Sequence, residues 1–271
     1  MPELPEVETV RRGLMPHLEN RLLCGARVRE SRLRWPVPAN LDQLTRGQYI
    51  HQLTRRGKYL LAKMDHGALI IHLGMSGSLR LTHMDIPPAK HDHLDLLLAG
   101  EQVLRYRDPR RFGAVLWSEQ PELHPLIAHL GIEPLSENFN AAWLHALSRG
   151  RKTAIKLLLM DASLVVGVGN IYANESLFHA GIDPRLAAEK LTRPRCARLV
   201  EAIRSTLARA IAAGGSTLRD FMDGHGNPGY FQQSYFVYGR TGEACHVCGA
   251  QIIQVRQSAR SSFICPRCQR R

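Results

Sequence analysis

The chain has 271 residues, enough for two ordinary domains and an appended module, and its 44% hydrophobic content is a globular value with ample material for a buried core. The 36 basic residues outnumber 24 acidic ones and leave a net charge of +12, which points to a polyanionic partner such as DNA, RNA or an anionic membrane surface. No apolar run reaches the roughly 18 residues of a membrane span, and Met1 to Gly13 is acidic and then basic with no apolar signal-peptide centre, so the expectation is a cytoplasmic protein whose six cysteines are not a disulfide framework.

In chain order, residues 5–18 are predicted as a helix. Val7, Val10, Leu14 and Leu18 recur at helical spacing, Pro5 suits the first turn, and Glu6 and Glu8 suit its positive end. Pro2 and Glu3 therefore stand just ahead of a helix N-terminus. From about 22 to 117 the chain turns to short apolar runs punctuated by Gly, Pro and Asp. Tyr59-Leu60-Leu61, Leu69-Ile70-Ile71, Leu94 to Leu98 and Val115-Leu116-Trp117 are examples, and the pattern is that of an all-β sandwich or barrel rather than of alternating βα units. Ile86 to Lys90 and Arg107 to Gly113 are expected to be loops. Helices are expected at Ile155 to Met160, Asn170 to His179 and Thr192 to Ala213. In the last, Cys196, Leu199, Ile203, Leu207 and Ile211 form an apolar stripe, Thr192 takes the N-cap position, and Gly214-Gly215 stop the helix. Gly224 to Gly229 is expected to be a mobile loop. The divisions read from these patterns are 1–135, 136–235 and 236–271.

Two CxxC pairs, Cys245-His246-Val247-Cys248 and Cys265-Pro266-Arg267-Cys268, flank residues 249–264. This spacing is that of a zinc ribbon: each turn aims two thiolates at one ion, and the intervening residues run out and back as a hairpin. Four thiolates close the tetrahedron and leave no position for water, so one structural Zn2+ is expected. The hairpin has almost no core of its own, and the metal would hold it together. Arg256, Arg260, Arg267, Arg270 and Arg271 surround it, well placed to touch a nucleic-acid backbone. Cys24 and Cys196 stand alone and are taken as packing residues.

The other chemical signal is the start of the chain. Removal of Met1 would expose a secondary amine on Pro2, and an amine can attack an aldehydic sugar carbon to form an iminium ion. An α-amino group has an intrinsic pKa roughly 2 to 3 units below that of lysine, and a helix N-terminus disfavours its charged form further. Glu3, next door, is a candidate acid or base.

Met1 to Gly13, MPELPEVETVRRG, closely resembles the start of the bacterial formamidopyrimidine-DNA glycosylases. So do Arg55 to Leu60, Ile71 to Gly77, Lys90 to His93 and Asp108 to Gly113. Val165 to Ser176 resembles the family's helix-two-turns-helix element, and the terminal cysteines resemble its zinc finger. The resemblance covers essentially the whole chain, with the motifs in order. It implies an α+β multidomain fold: an N-terminal β-sandwich with flanking helices, a helical helix-two-turns-helix domain and a zinc-ribbon finger. It also implies a bifunctional, monomeric DNA repair enzyme that removes oxidised purines from damaged double-stranded DNA and nicks the abasic site by β,δ-elimination, associated with the bacterial nucleoid through that binding.

On the matching positions the resemblance makes Pro2 the nucleophile at C1′, Glu3 its partner acid or base, and Lys58 and Arg260 the groups assisting β- and δ-elimination. Lys58, His72, Asn170 and Arg260 would grip phosphates around the lesion. His91, Arg110 and Arg151, the last within the basic run Arg149 to Lys152, would contact DNA. A base inside a duplex hides C1′, so the nucleotide must be flipped out and the gap filled. Met75, Arg110 and Phe112 match the filling residues: Met and Phe wedge between base pairs while Arg addresses the widowed cytosine. Gly167-Val168-Gly169 is read as a tight turn between helices that aims backbone N–H groups and Asn170 at a phosphate, since the pattern lacks the rest of a dinucleotide fingerprint. Ser216 to Tyr230 resembles the family's loop over the flipped base.

Two other readings compete. Endonuclease VIII shares the architecture and removes oxidised pyrimidines, but its start usually reads Pro-Glu-Gly-Pro-Glu, whereas this chain reads Pro2-Glu3-Leu4-Pro5-Glu6. A non-catalytic zinc-ribbon DNA-binding protein explains the charge and the cysteines but leaves Pro2, Glu3 and Lys58 without a task.

Overall fold

A computed structural model describes residues 2–215 and 235–271. Met1, the Gly224 to Gly229 loop and the Ser216 to Tyr230 segment lie outside the described residues. Two compact units divide what is described: residues 2–129 with Gly214 and Gly215, and residues 130–213 with 235–271.

The first unit opens with α1 (Leu4–Leu18). Glu3 is its N-cap. The Glu3 and Glu6 side chains form a reciprocal capping box, in which the Glu3 backbone N–H donates to Glu6 Oε2 at 2.7 Å. Val7, Val10, Leu14 and Leu18 are buried, as their spacing predicts. Next come β1 (Arg21–Val28), α2 (Leu41–Thr45), β2 (Tyr49–Arg56), β3 (Tyr59–Met64), β4 (Ala68–His72), β5 (Ser78–His83), β6 (Asp92–Leu98), β7 (Gln102–Arg107), β8 (Ala114–Ser118) and the short α3 (Pro125–Ala128).

The eight strands run in the order β5-β7-β6-β1-β2-β3-β4-β8, with every pairing antiparallel. β1 is where the sheet changes partner. Arg21 and Leu22 pair with β2, while Leu23 to Val28 pair with β6 across a bulge between Leu23 and Gly25. The two halves line one core, with Leu60, Leu69, Ile71 and Val115 from one and Leu94, Leu96, Leu104 and Tyr106 from the other. This is the sandwich arrangement expected. Cys24 sits at the bulge, a half-buried free thiol. On the opposite face of β6 and β7, the buried Asp95 carboxylate takes two hydrogen bonds from Arg29, both 2.8 Å, and two from Arg105, at 2.8 and 3.0 Å. That pairing lets charged side chains occupy a face closed to solvent.

The second unit contains α4 (Ala141–Ser148), α5 (Ile155–Leu159), α6 (Asn170–His179), α7 (Arg193–Ala212) and a hairpin of β9 (Ile253–Gln257) and β10 (Arg260–Ile264). Cys196, Leu199, Ile203 and Leu207 on α7 are fully buried against Leu144, Leu158, Tyr172 and Leu177 of the other helices. Thr192 is the backbone N-cap of α7 but makes no side-chain capping bond.

The hairpin is tied to these helices by buried polar groups. Lys156 Nζ donates to Ser261 O and Ser262 Oγ, both at 2.7 Å, and Asn174 Oδ1 accepts from Phe263 N at 2.8 Å. The buried Glu175 carboxylate accepts the N–H groups of Phe236, Val237 and Tyr238 at 2.9, 3.0 and 2.8 Å. Burial raises its pKa, and those three donors partly restore the ionised form.

Candidate active site and zinc centre

In the first unit, Pro2 is buried at the head of α1 and Glu3 is 2% exposed. α1 is bolted to the β2–β3 hairpin through Glu8. Its Oε1 accepts from Arg11 NH2 and Arg12 Nε, both at 2.9 Å, and its Oε2 accepts from Arg55 Nε at 3.2 Å. Burial raises the Glu8 pKa, but hydrogen bonds from Arg11 and Arg12 and the charge of Arg55 carry it down to about 2. Arg55 NH1 in turn donates to the Gly57 carbonyl at 2.9 Å, bracing the turn that carries the half-buried Lys58.

His72 closes β4 opposite Tyr59, with ring centroids 4.7 Å apart. Burial, then the positive charges of Lys58 and Arg34, push its pKa down to about 4. Its Nδ1 accepts from Gly74 N at 3.1 Å, so the proton of the neutral ring sits on Nε2. His72 is thereby a neutral donor beside a lysine.

Linkage follows from this. With the folded pKa near 4 and the unfolded value near 6.5, the unfolded state binds more protons between those values. The stabilisation is complete above about 6.5 and is lost as pH falls toward 4. His72→Gln is therefore expected to flatten the fall in stability of the sheet unit between pH 6.5 and 4 by on the order of 2 kcal/mol, after allowing for partial exposure. Unfolding curves of parent and variant that keep the same pH dependence would refute this.

Met75 lies between β4 and β5 and is 39% exposed; Arg110 and Phe112 lie between β7 and β8, with Phe112 41% exposed. The Arg110 guanidinium carbon sits 4.8 Å from the centroid of the Phe112 ring. His91, half-buried, takes a left-handed conformation with φ +73°, and its carbonyl accepts from Asp108 N at 3.1 Å. Pro2, Glu3, Lys58, His72, Met75, His91, Arg110 and Phe112 thus all belong to the sheet unit.

In the second unit, Gly169 caps α6 and Asn170 is its first residue, half-exposed. Gly167, at φ +80°, makes the turn before it, a conformation that glycine tolerates. Asn174 Nδ2 donates to Asn170 O at 2.7 Å. Arg151 is exposed, its Nε donating to Leu147 O at 2.9 Å. Arg260 is exposed at the tip of the β9–β10 hairpin, paired in register with Gln257.

The four cysteine sulfurs lie within 4.8 Å of one another. Cys245 Sγ to Cys268 Sγ is 3.9 Å and Cys248 Sγ to Cys265 Sγ is 3.4 Å. Both are far beyond the roughly 2.05 Å of a disulfide and close to the edge of about 3.8 Å of a tetrahedron with Zn–S bonds of about 2.3 Å. Val247 N and Cys268 N donate to Cys245 Sγ and Cys265 Sγ, at 3.5 and 3.4 Å, the outer-shell support that thiolate ligands require. These four residues hold one structural zinc.

A mixed α+β protein with an antiparallel sheet unit, a helical unit and a four-thiolate zinc finger is the class defined so far. Three family profiles match it: the formamidopyrimidine-DNA glycosylase N-terminal domain over residues 1–115, the H2TH domain of that family over 130–222, and a zinc finger found in FPG and IleRS over 242–271. A protein of Stutzerimonas stutzeri (strain A1501) named formamidopyrimidine-DNA glycosylase is 56% identical over 270 residues, and one of Laribacter hongkongensis (strain HLHK9) is 58% identical over 273, each match covering 100% of both chains. Among solved structures, the Lactococcus lactis Fpg in complex with abasic-site DNA superposes with a TM-score of 0.90 at 34% identity, covering 99% of this chain and 100% of that one. The MutM (Fpg) protein of Thermus thermophilus gives 0.88 at 38%, covering 99% and 98%. The chain belongs to the formamidopyrimidine-DNA glycosylase family and is a DNA glycosylase of base-excision repair.

Two residues inside the motif strings have a tethering role that the sequence did not reveal. Glu8 reads as a helix-start carboxylate and Asp108 as part of a loop, and each turns out to join segments remote in sequence.

Proposed function

We propose that this enzyme excises oxidised purines, 8-oxoguanine and formamidopyrimidines, from duplex DNA and cleaves the strand at the resulting abasic site. The Pro2 nitrogen attacks C1′ and gives up its proton, and the N-glycosidic bond breaks with the leaving base taking a proton. Glu3 then delivers a proton to O4′ as the C1′–O4′ bond opens and the nitrogen lone pair forms the C1′=N bond. The resulting iminium ion makes the C2′ proton acidic, so β-elimination with Lys58 and δ-elimination with Arg260 follow. Lys58, His72, Asn170 and Arg260 hold phosphates, while His91 and Arg151 contact DNA. Met75 and Phe112 fill the gap left by the flipped nucleotide, and Arg110 addresses the opposite cytosine. The bound zinc supplies no chemistry to these steps; it orders the hairpin that carries Arg260. We read the protein as a monomer of the bacterial cytoplasm and keep the three-part division at residues 135 and 235. No described helix is long and apolar enough to cross a membrane.

The observation that carries this reading is the Pro2-Glu3 start held, buried, at the capped head of α1. Structures of Lactococcus lactis Fpg with Fapy-dG-containing DNA, 35% identical in sequence, support the substrate class. The test is product analysis on duplexes carrying 8-oxoguanine, a formamidopyrimidine or an oxidised pyrimidine. Base release and a gapped product are expected on the first two, with at least about tenfold lower kcat/KM on the third, a barrier difference of about 1.4 kcal/mol. Preference for the oxidised pyrimidine would transfer the chain to the endonuclease VIII reading.

A further inference from the structure

The Met75 turn and the Arg110–Phe112 turn are far apart in sequence but make the same crossing. β4 pairs with β8 and β5 pairs with β7, so residues 73–77 and 108–113 both pass from one half of the sheet to the other, side by side. Their backbones touch. A Cβ on Gly74, which has φ +60°, would lie 2.4 Å from the Phe112 carbonyl carbon and 2.5 Å from Gly113 N.

One hydroxyl and one buried carboxylate stitch the two turns together. Ser76 Oγ donates to Asp108 Oδ1 at 2.7 Å and accepts from Arg110 N at 3.1 Å. Asp108, 0% exposed, accepts from Gly113 N through Oδ2 at 2.8 Å. Ser76 thus uses both its donor and its acceptor on the neighbouring turn, and the carboxylate beneath it fixes both ends of the segment bearing Arg110 and Phe112.

We propose that Ser76, seated on Asp108, is a positioning residue that locks Met75, Arg110 and Phe112 into one rigid probe, so that the three enter the duplex together. This rests on the reading above of those side chains as gap-filling and cytosine-reading groups. Loss of the hydroxyl leaves Asp108 Oδ1 and Arg110 N without their shared partner and lets the turns move independently. Base extrusion and opposite-base reading then suffer, while the chemistry on an already exposed sugar does not.

The test compares parent, Ser76→Ala and Ser76→Thr on an 8-oxoguanine duplex and on a duplex with a preformed abasic site, with the lesion opposite cytosine and opposite adenine. Ser76→Ala is expected to lower kcat for excision by about tenfold and to narrow the preference for cytosine, with KM and abasic-strand cleavage within about twofold of the parent. Ser76→Thr, which keeps the hydroxyl, should recover most of the loss. Equal slowing on both substrates, or no slowing of excision, would overturn the proposal, as would failure of Thr to outperform Ala. Arg110→Ala and Phe112→Ala run alongside. If they too leave excision and cytosine preference untouched, the reading of the turns falls; if they impair both and Ser76→Ala does not, only the latch falls. Should Ser76→Ala not fold, Ser76→Cys, with its weaker thiol donor, carries the same comparison.

Discussion

A protein that retains any residue ahead of Pro2 is expected to lose borohydride trapping and strand cleavage while keeping its affinity for DNA. With Met1 in place the proline nitrogen is a tertiary amide, has no available lone pair and cannot form the iminium bond. With Met1 removed it is a secondary amine whose intrinsic pKa, about 7.7 to 8.0 for an α-amino group, leaves a useful neutral fraction at physiological pH where a lysine near 10.4 has almost none. The N-terminus of α1 disfavours the ammonium form further, and the neighbouring Glu3 and Glu6 carboxylates oppose that effect while offering a proton acceptor. Phosphate contacts assigned to Lys58, His72, Asn170 and the finger do not involve this nitrogen, so binding should survive within about threefold, less than 1 kcal/mol. Mass spectrometry identifies the N-terminus of each preparation, and both forms are then trapped on one 8-oxoguanine duplex. Equal trapping would show that another amine is the nucleophile, with Lys58 the first to test.

Cys248→Ser is expected to lose stoichiometric zinc and to lower DNA affinity by about a hundredfold. The finger's buried apolar cluster is small, with Val237, Ile252 and Phe263 its main aliphatic and aromatic members beside Phe178, so thiolate–metal bonds supply most of its order. Without them Arg260 and its exposed neighbours lose their fixed placement. Two charge-assisted contacts at about 1.5 kcal/mol each account for a factor of that size. The sheet unit shares none of the four ligands, so its unfolding transition should not move. Zinc analysis, binding titration and thermal unfolding check the three parts. Retained zinc with parental affinity would refute the assignment of Cys248.

What the sequence by itself determined is what short windows encode. The 3.6-residue stripe of Val7, Val10, Leu14 and Leu18 defined α1, Asn170 to His179 matched α6 at both ends, and the stripe from Cys196 to Leu207 defined α7. The CxxC pairs named the four ligands because a metal site with local spacing is written into consecutive residues. The motif strings carried the family. No local pattern announces the bulge beside Cys24, where β1 exchanges one partner strand for another.

Only the tertiary structure decided the polar tethers. Ser76 and Asp108 stand 32 residues apart, Glu8 and Arg55 stand 47 apart, and Asn174 reaches Phe263 across 89. Each reads in sequence as an ordinary solvated or turn-forming polar residue. Glu8, Asp108 and Asn174 become buried while Ser76 and Arg55 stay half-buried. Each is paired because strand order and helix packing draw it away from water, and a polar group so enclosed must find a partner wherever the fold has brought one. Strand order is a property of non-local pairing, invisible to a window of ten or twenty residues. That is why the side chains proposed to meet DNA could be picked out by residue type within the motif strings, while the tethering role of the polar groups beside them, which stand in the same strings, could not.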